Sequence, residues 1–211
     1  MTPDRLTARA PPEEDDCVTF RRTVLLVALL NLGYFGVEFA VALAIGSVSL
    51  FADSVDFLED ASINLLIFFA AAWSVRRQSR VGSVLAFVIL IPAVATIVVA
   101  VQKILDPVPP QVVPLSLAAF GALLVNLGCA FLLVRHRNAQ GSMAKAAWLS
   151  ARNDALADLA IILVAVVTIW FRTGWIDIVV GIAIGLLNAD AARAVWRAAR
   201  AERLDEKDAM P

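Results

Sequence analysis

Between Ser49 and Asn64 the chain reads SLFADSVDFLEDASIN, which places three aspartates and a glutamate inside a run otherwise apolar enough to cross a membrane. Asp53, Asp56 and Asp60 are three and four residues apart. On a helix turning about 100° per residue they fall within an arc of about 60°, and Asn64 extends the same stripe. A second pair, Asp154 and Asp158 in ARNDALADLAIILVAV, is again four apart and again enters an apolar run. A carboxylate at membrane depth costs about 3 kcal/mol on insertion scales, so two acidic stripes constrain both what the chain can fold into and why it carries them.

The rest of the sequence says that the medium is indeed a membrane. Hydrophobic residues make up 60% of the 211, where a soluble domain has about 45–50%, and the mean hydropathy is +0.79. Six apolar segments follow one another: Thr23–Gly46, Val48–Ser74, Val81–Ile104, Val113–Val134, Ala144–Phe171 and Trp175–Ala198. Each has the roughly 20 residues that a hydrocarbon core of about 30 Å requires. The expected fold is all-α: a six-transmembrane-helix bundle over residues 21–198, between a disordered cytoplasmic tail at 1–20 and a short cytoplasmic tail at 199–211. The first 20 residues hold an acidic cluster and three prolines and lack the basic, short-apolar and cleavage regions of a signal peptide. Pro92 is expected to kink the third helix, and Asp106–Pro114 to form an extended connection. Sixteen of the 18 Lys and Arg fall on one side of this layout, and only Lys103 and Arg172 on the other. The positive-inside rule then puts both termini in the cytoplasm. Trp73, Trp148, Trp170, Trp175 and Trp196 lie near expected helix ends, as an interfacial aromatic belt would place them. The expected location is a multi-pass position in a bacterial inner membrane, in contact with the lipid bilayer.

Several functions are disfavoured at this level. A net charge of −1 gives no pull toward nucleic acid. Cys17 and Cys129, 112 residues apart, suggest neither a disulfide nor a thiolate metal site. His136, the single histidine, sits among basic residues and reads as a solvated imidazole.

Depth brings the two acidic stripes together. At 1.5 Å per residue, Asp56 and Asp60 lie about 12 and 18 Å into the second helix, and Asp154 and Asp158 about 15 and 21 Å into the fifth, all near the midplane. Asp154 and Asp158 are about 40° apart on the helix, so two carboxylates from each helix can converge. Four converging carboxylates need a divalent ion to balance them, or they hold protons. Alternation between the two is the chemistry of metal–proton exchange. Oxygen-only ligation suits Mn²⁺, Mg²⁺ and other hard ions, while a set of four also fits tetrahedral Zn²⁺. An aspartate can instead serve as helix glue, paired with Arg or Asn. No Arg or Lys lies mid-span, however, and Asn31, Asn126 and Asn188 could partner one acid but not four. Asp53, nearer the outer end, is expected to face a vestibule. Glu59 is about 60° from Asp56 and about 100° from Asp60; with Asp53, Asn64 and Asn153 it forms a secondary tier of candidates. Glu38 reads as a packing or vestibule carboxylate.

The pattern GSVSLFADSVDFLED, Gly46 to Asp60, resembles the second-helix signature of the cation diffusion facilitators, in which a small-residue turn precedes [His/Asp]-x-x-x-Asp. Asp56 and Asp60 match that pair, and Asp154 and Asp158 match its fifth-helix counterpart. NLGYFGVEF, from Asn31, resembles the first-helix pattern, and Trp175-Ile176-Asp177 the opening of the sixth. The resemblance covers about residues 22–198. It implies a divalent metal–proton antiporter exporting metal from the cytoplasm, not an enzyme, with a tetrahedral site built by the second and fifth helices and no permanently bound cofactor. The transported ion would be Zn, Mn, Fe, Co or Cd; aspartate pairs on both helices resemble the manganese-type members most. A homodimer is among the partners that the family implies. The chain departs from the family in ending about 13 residues after its last expected helix, without the usual cytoplasmic C-terminal domain, and in reducing the histidine-rich loop to His136. These departures leave an alternative, a non-transporting membrane regulatory or assembly subunit with the same bundle. An intramembrane aspartyl protease lacks support, since no glycine-flanked aspartate motif accompanies the acids.

Overall fold

The computed structural model describes residues 14–70, 94–134 and 141–187. Six helices lie among the described residues: α1 (Glu14–Ile45), α2 (Val48–Ala70), α3 (Val94–Leu105), α4 (Val112–Val134), α5 (Gly141–Trp170) and α6 (Trp175–Leu187). Three stretches, Thr19–Ile45, Val112–Val134 and Asn153–Trp170, are long and apolar enough to cross a membrane. Pro92, Trp73, Trp196, His136, Asn188, the terminal stretches 1–13 and 199–211, and most of the basic residues used for orientation lie outside the described residues, as do the side chains of Cys17 and Trp148. α1 runs back to Glu14, into the stretch expected as a tail. α4 begins at Val112, inside the expected connection. Pro114 fits there because the first helical turn has no intrahelical use for its N–H.

Two residues join α1 to α2. Gly46 has φ of +62°, the left-handed conformation in which only glycine avoids a Cβ clash. Ser47 N–H then bonds back to Ala42 O at 3.2 Å, closing the last turn of α1. The Ser47 hydroxyl accepts from Leu50 N at 3.2 Å and so caps α2. One serine thus ends one helix and starts the next, which forces α1 and α2 into an antiparallel hairpin. At its far end the Arg21 guanidinium lies 4.5 Å from the Phe68 ring centroid.

The core is built around α2. It packs most extensively on α1, as α4 does on α5, and it touches α5 over a shorter stretch. Its first half joins the main apolar cluster through Leu50, Phe51 and Ala52, which meet Ala42 of α1, Ala119 of α4 and Ile161 of α5. A smaller cluster of Val27, Cys129 and Leu133 closes the other end of the α1–α4 contact, so α1 and α4 are antiparallel. Between them Tyr34 donates to Ala118 O at 2.6 Å, and Gly121 lies so close beneath it that a Cβ would come within 2.2 Å of the Tyr34 hydroxyl. Leu43, Leu117, Phe131, Leu163 and Leu186 point outward, the pattern of a bundle whose outer surface meets lipid. The chain is an integral, multi-pass, all-helical membrane protein.

Candidate functional site

Hydropathy alone scores α2 poorly because of its acids, yet α2 is the most enclosed helix. From Ser47 to Asn64 every residue is buried except Asp56 and Ile63, which are partly so. Its acids are therefore enclosed by neighbouring helices, Asp56 less completely than the rest. The hydroxyls along α2 are absorbed by its own backbone: Ser54 donates to Phe51 O at 2.7 Å and Ser62 to Leu58 O at 2.8 Å. Asp53 finds no such partner, because helix carbonyls offer a carboxylate no proton.

The structure sorts the sequence candidates into two neighbouring groups. In the first, Asp56 of α2 and Asp154 of α5 lie near enough for their charges to act on each other. Asp60 is buried at 7% exposure and its charge acts on Asp154 from one turn further along α2. Glu59 is buried beside the same pair and interacts with both Asp56 and Asp60. Asn64 is also buried, but its amide donates to Asp60 O of its own helix at 2.8 Å. Asn153 lies on the exposed side of α5.

In the second group, Asp158 lies against Asp53 and accepts from Asn126 of α4 at 2.9 Å. Glu38 of α1 reaches the same Asp53. Asp53, Glu38 and Asp158 are all at 0% exposure, and no donor reaches either oxygen of Glu38 or Asp53 or the Oδ1 of Asp158. Asp53 thus faces no vestibule among the described residues. α6 and the ends of α1 and α4 cover that end of α2, because its first turn is docked on other helices. The four aspartates expected to converge between α2 and α5 interact with one another, but Asp158 also lies against Asp53 and Asn126. Among the described residues no three His, Cys, Asp or Glu side chains are gathered closely enough to hold a metal ion.

Two participants were under-read in the sequence. Glu38 follows Asn31 by seven residues, two helical turns, so both lie on one face; Asn31 is buried as well and donates to Cys129 Sγ at 3.8 Å. That spacing was available as a signal. Asp177 was seen only as part of a helix opening, yet it is fully buried and forms an ion pair with Lys103 at 3.3 Å.

An enclosed acidic helix facing a second acidic helix is compatible with handling cations. Chain-wide similarity agrees: a family model described as the cation efflux transmembrane domain matches residues 24–202. That match spans the greater part of the chain, which belongs to the cation efflux, or cation diffusion facilitator, family, a membrane metal-transporter domain and not a catalytic fold.

Proposed function

We propose that this protein exports divalent transition-metal ions from the cytoplasm in exchange for protons, through a site that Asp56, Asp60, Asp154 and Asp158 form between α2 and α5. Six membrane spans with both termini cytoplasmic, in a bacterial inner membrane, are part of the same reading. The observation that carries it is the Asp56–Asp154 pair. These two carboxyls oppose each other across α2 and α5, and they are the two of the four that are only partly buried. Asp60 is already near, and Asp158 is one turn from Asp154 on the same helix, so completing the set moves side chains of two helices already in contact. A divalent ion supplies the attraction that offsets four like charges.

An all-oxygen set favours Mn²⁺ among Zn²⁺, Mn²⁺, Fe²⁺, Co²⁺ and Cd²⁺. The test is uptake into proteoliposomes across that panel, with and without an imposed pH gradient. Wild type is expected to accumulate metal in a gradient-dependent way, and Asp56→Asn and Asp154→Asn to lose it. Undiminished proton-coupled flux in Asp56→Asn rejects the site. Purified protein that binds no divalent ion at neutral pH points to the non-transporting subunit instead.

A further inference from the structure

We propose that Asp177 is a positioning residue for transport: from α6 it seats the first turn of α2 and so fixes the rotation and depth at which α2 presents Asp56 and Asp60 to α5. This rests on the transport reading above. The joint is the most completely bonded polar group among the described residues. Asp177 Oδ1 accepts from Ser47 Oγ at 2.7 Å, Ser49 Oγ at 2.6 Å and Ser49 N at 3.2 Å. Asp177 Oδ2 accepts from Val48 N at 2.9 Å and pairs with Lys103 Nζ of α3 at 3.3 Å. Lys103 in turn donates to Gly46 O at the hairpin turn. The first N–H groups of a helix have no partner within it. Here those of Val48 and Ser49 are taken by a carboxylate from another helix, with the charge sign that the helix N-terminus favours.

Steric contact reinforces the bonds. Gly181 sits one turn after Asp177, and a Cβ there would lie 2.6 Å from Ser49 N and from Val48 C. The α6 backbone thus rests directly on the first turn of α2. Just beneath, Val48, Ala100 and Ile178 form an apolar cluster joining α2, α3 and α6. The contrast with two buried acids beside the site, Glu38 and Asp53, is chemical. Glu38 and Asp53 have no donor on either oxygen, while Asp177 is saturated. Asp177 is therefore built to stay in place while the others are left free to take a proton or a cation.

The consequence reaches the site because α2 is one unbroken helix from Val48 to Ala70. Asp56 is about 12 Å along it. A rotation of α2 by about 20°, with side-chain ends about 5–6 Å from the axis, would move a carboxylate by about 2 Å. Metal–ligand distances hold to within about 0.2 Å, so that motion decides both affinity and which ion fits.

The experiment is equilibrium binding of Zn²⁺ and of Mn²⁺ to the purified full-length protein, with KM and Vmax from proteoliposome uptake alongside. Ser49→Ala removes the 2.6 Å donor without touching a charge and is expected to raise Kd at least threefold. Lys103→Gln with Asp177→Asn removes both buried charges together, which avoids stranding one, and is expected to raise Kd at least tenfold and shift the Zn²⁺/Mn²⁺ ratio at least threefold. A purely structural role lowers the melting temperature and Vmax through the folded fraction and leaves Kd, KM and the ion ratio alone. Wild-type Kd values and ratio in folded protein of these variants overturn the proposal; if the paired variant does not fold, Ser49→Ala decides it. Asp56→Asn separates the two levels. Retained binding there sinks the site, whereas lost binding there with wild-type Kd in the Asp177 variants sinks only the positioning role.

Discussion

Asn126 is the test of whether Asp158 belongs to the cation site in its charged form. Its amide is buried at 2% exposure and donates to Asp158 Oδ2 at 2.9 Å, while Oδ1 has no donor at all. Asn126→Leu keeps the volume of the side chain and removes the proton donor. A hydrogen bond to a charged group is worth about 1.5–3 kcal/mol. Polar contacts inside membrane bundles average nearer about 0.6 kcal/mol, because the unfolded chain in lipid finds other partners. The second figure governs unfolding, where the reference is the loosened bundle. The first governs ion binding, where the bundle is intact and the Asn126 amide is held against Asp158. The variant is therefore expected to lose about 1 kcal/mol or less in a detergent unfolding measurement and to bind metal about 10- to 100-fold more weakly. Isothermal titration with the metal that wild type prefers reads the second quantity. Exchanging the pair, Asn126→Asp with Asp158→Asn, keeps the hydrogen bond but moves the carboxylate to α4. It is expected to restore stability and not binding. A Kd within twofold of wild type in folded Asn126→Leu refutes the reasoning, because Asp158 then needs no help to carry charge.

Three further outcomes are expected. Gly121→Ala drives a Cβ into the Tyr34 hydroxyl and should cost about 1–3 kcal/mol in thermal unfolding. The same substitution in a Tyr34→Phe background, where the nearest atom is gone, should cost measurably less, and equal costs in both backgrounds would show that the contact is not tight. Gly46→Ala should lose about 1–2 kcal/mol, since φ of +62° disfavours any Cβ; an unchanged melting temperature argues against that turn. Arg21→Ala should cost no more than about 1 kcal/mol, as an exposed cation over a ring does, with Arg21→Lys losing less.

The fold was largely readable because hydrophobic length is a coarse property. α2, α4 and α5 begin and end within a few residues of the expected limits, and α2 starts where the small-residue turn at Gly46 and Ser47 says it should. The similar depth of the acids on the second and fifth helices was readable along two helices, a single coordinate. The turning of Asp158 toward Asp53 and Asn126 was not, because it depends on how α4 and α1 pack around α5, and periodicity within one helix carries no information about a neighbour's side chains. Glu38 was half readable: its register with Asn31 is in the spacing, but its meeting with Asp53 is tertiary. Asp177 and Lys103 show the same limit from the other direction. In the sequence Lys103 is one of two basic residues on the far side and Asp177 part of the opening of the sixth segment, and only their pairing across α6 and α3 explains why both can be buried.

The two-residue hinge at Gly46 and Ser47 also bears on how the chain is made. α2 carries Asp53, Asp56, Glu59 and Asp60, and acids cost up to about 3 kcal/mol each at the centre of a helix entering the membrane from the translocation channel. Such a segment does not partition into lipid by itself. α1, with mean hydropathy 2.0 over Thr19–Ile45, does. With so short a tether α1 and α2 are placed together, as one hairpin. Lengthening the connection between them would then reduce the yield of inserted protein before any effect on transport could be measured.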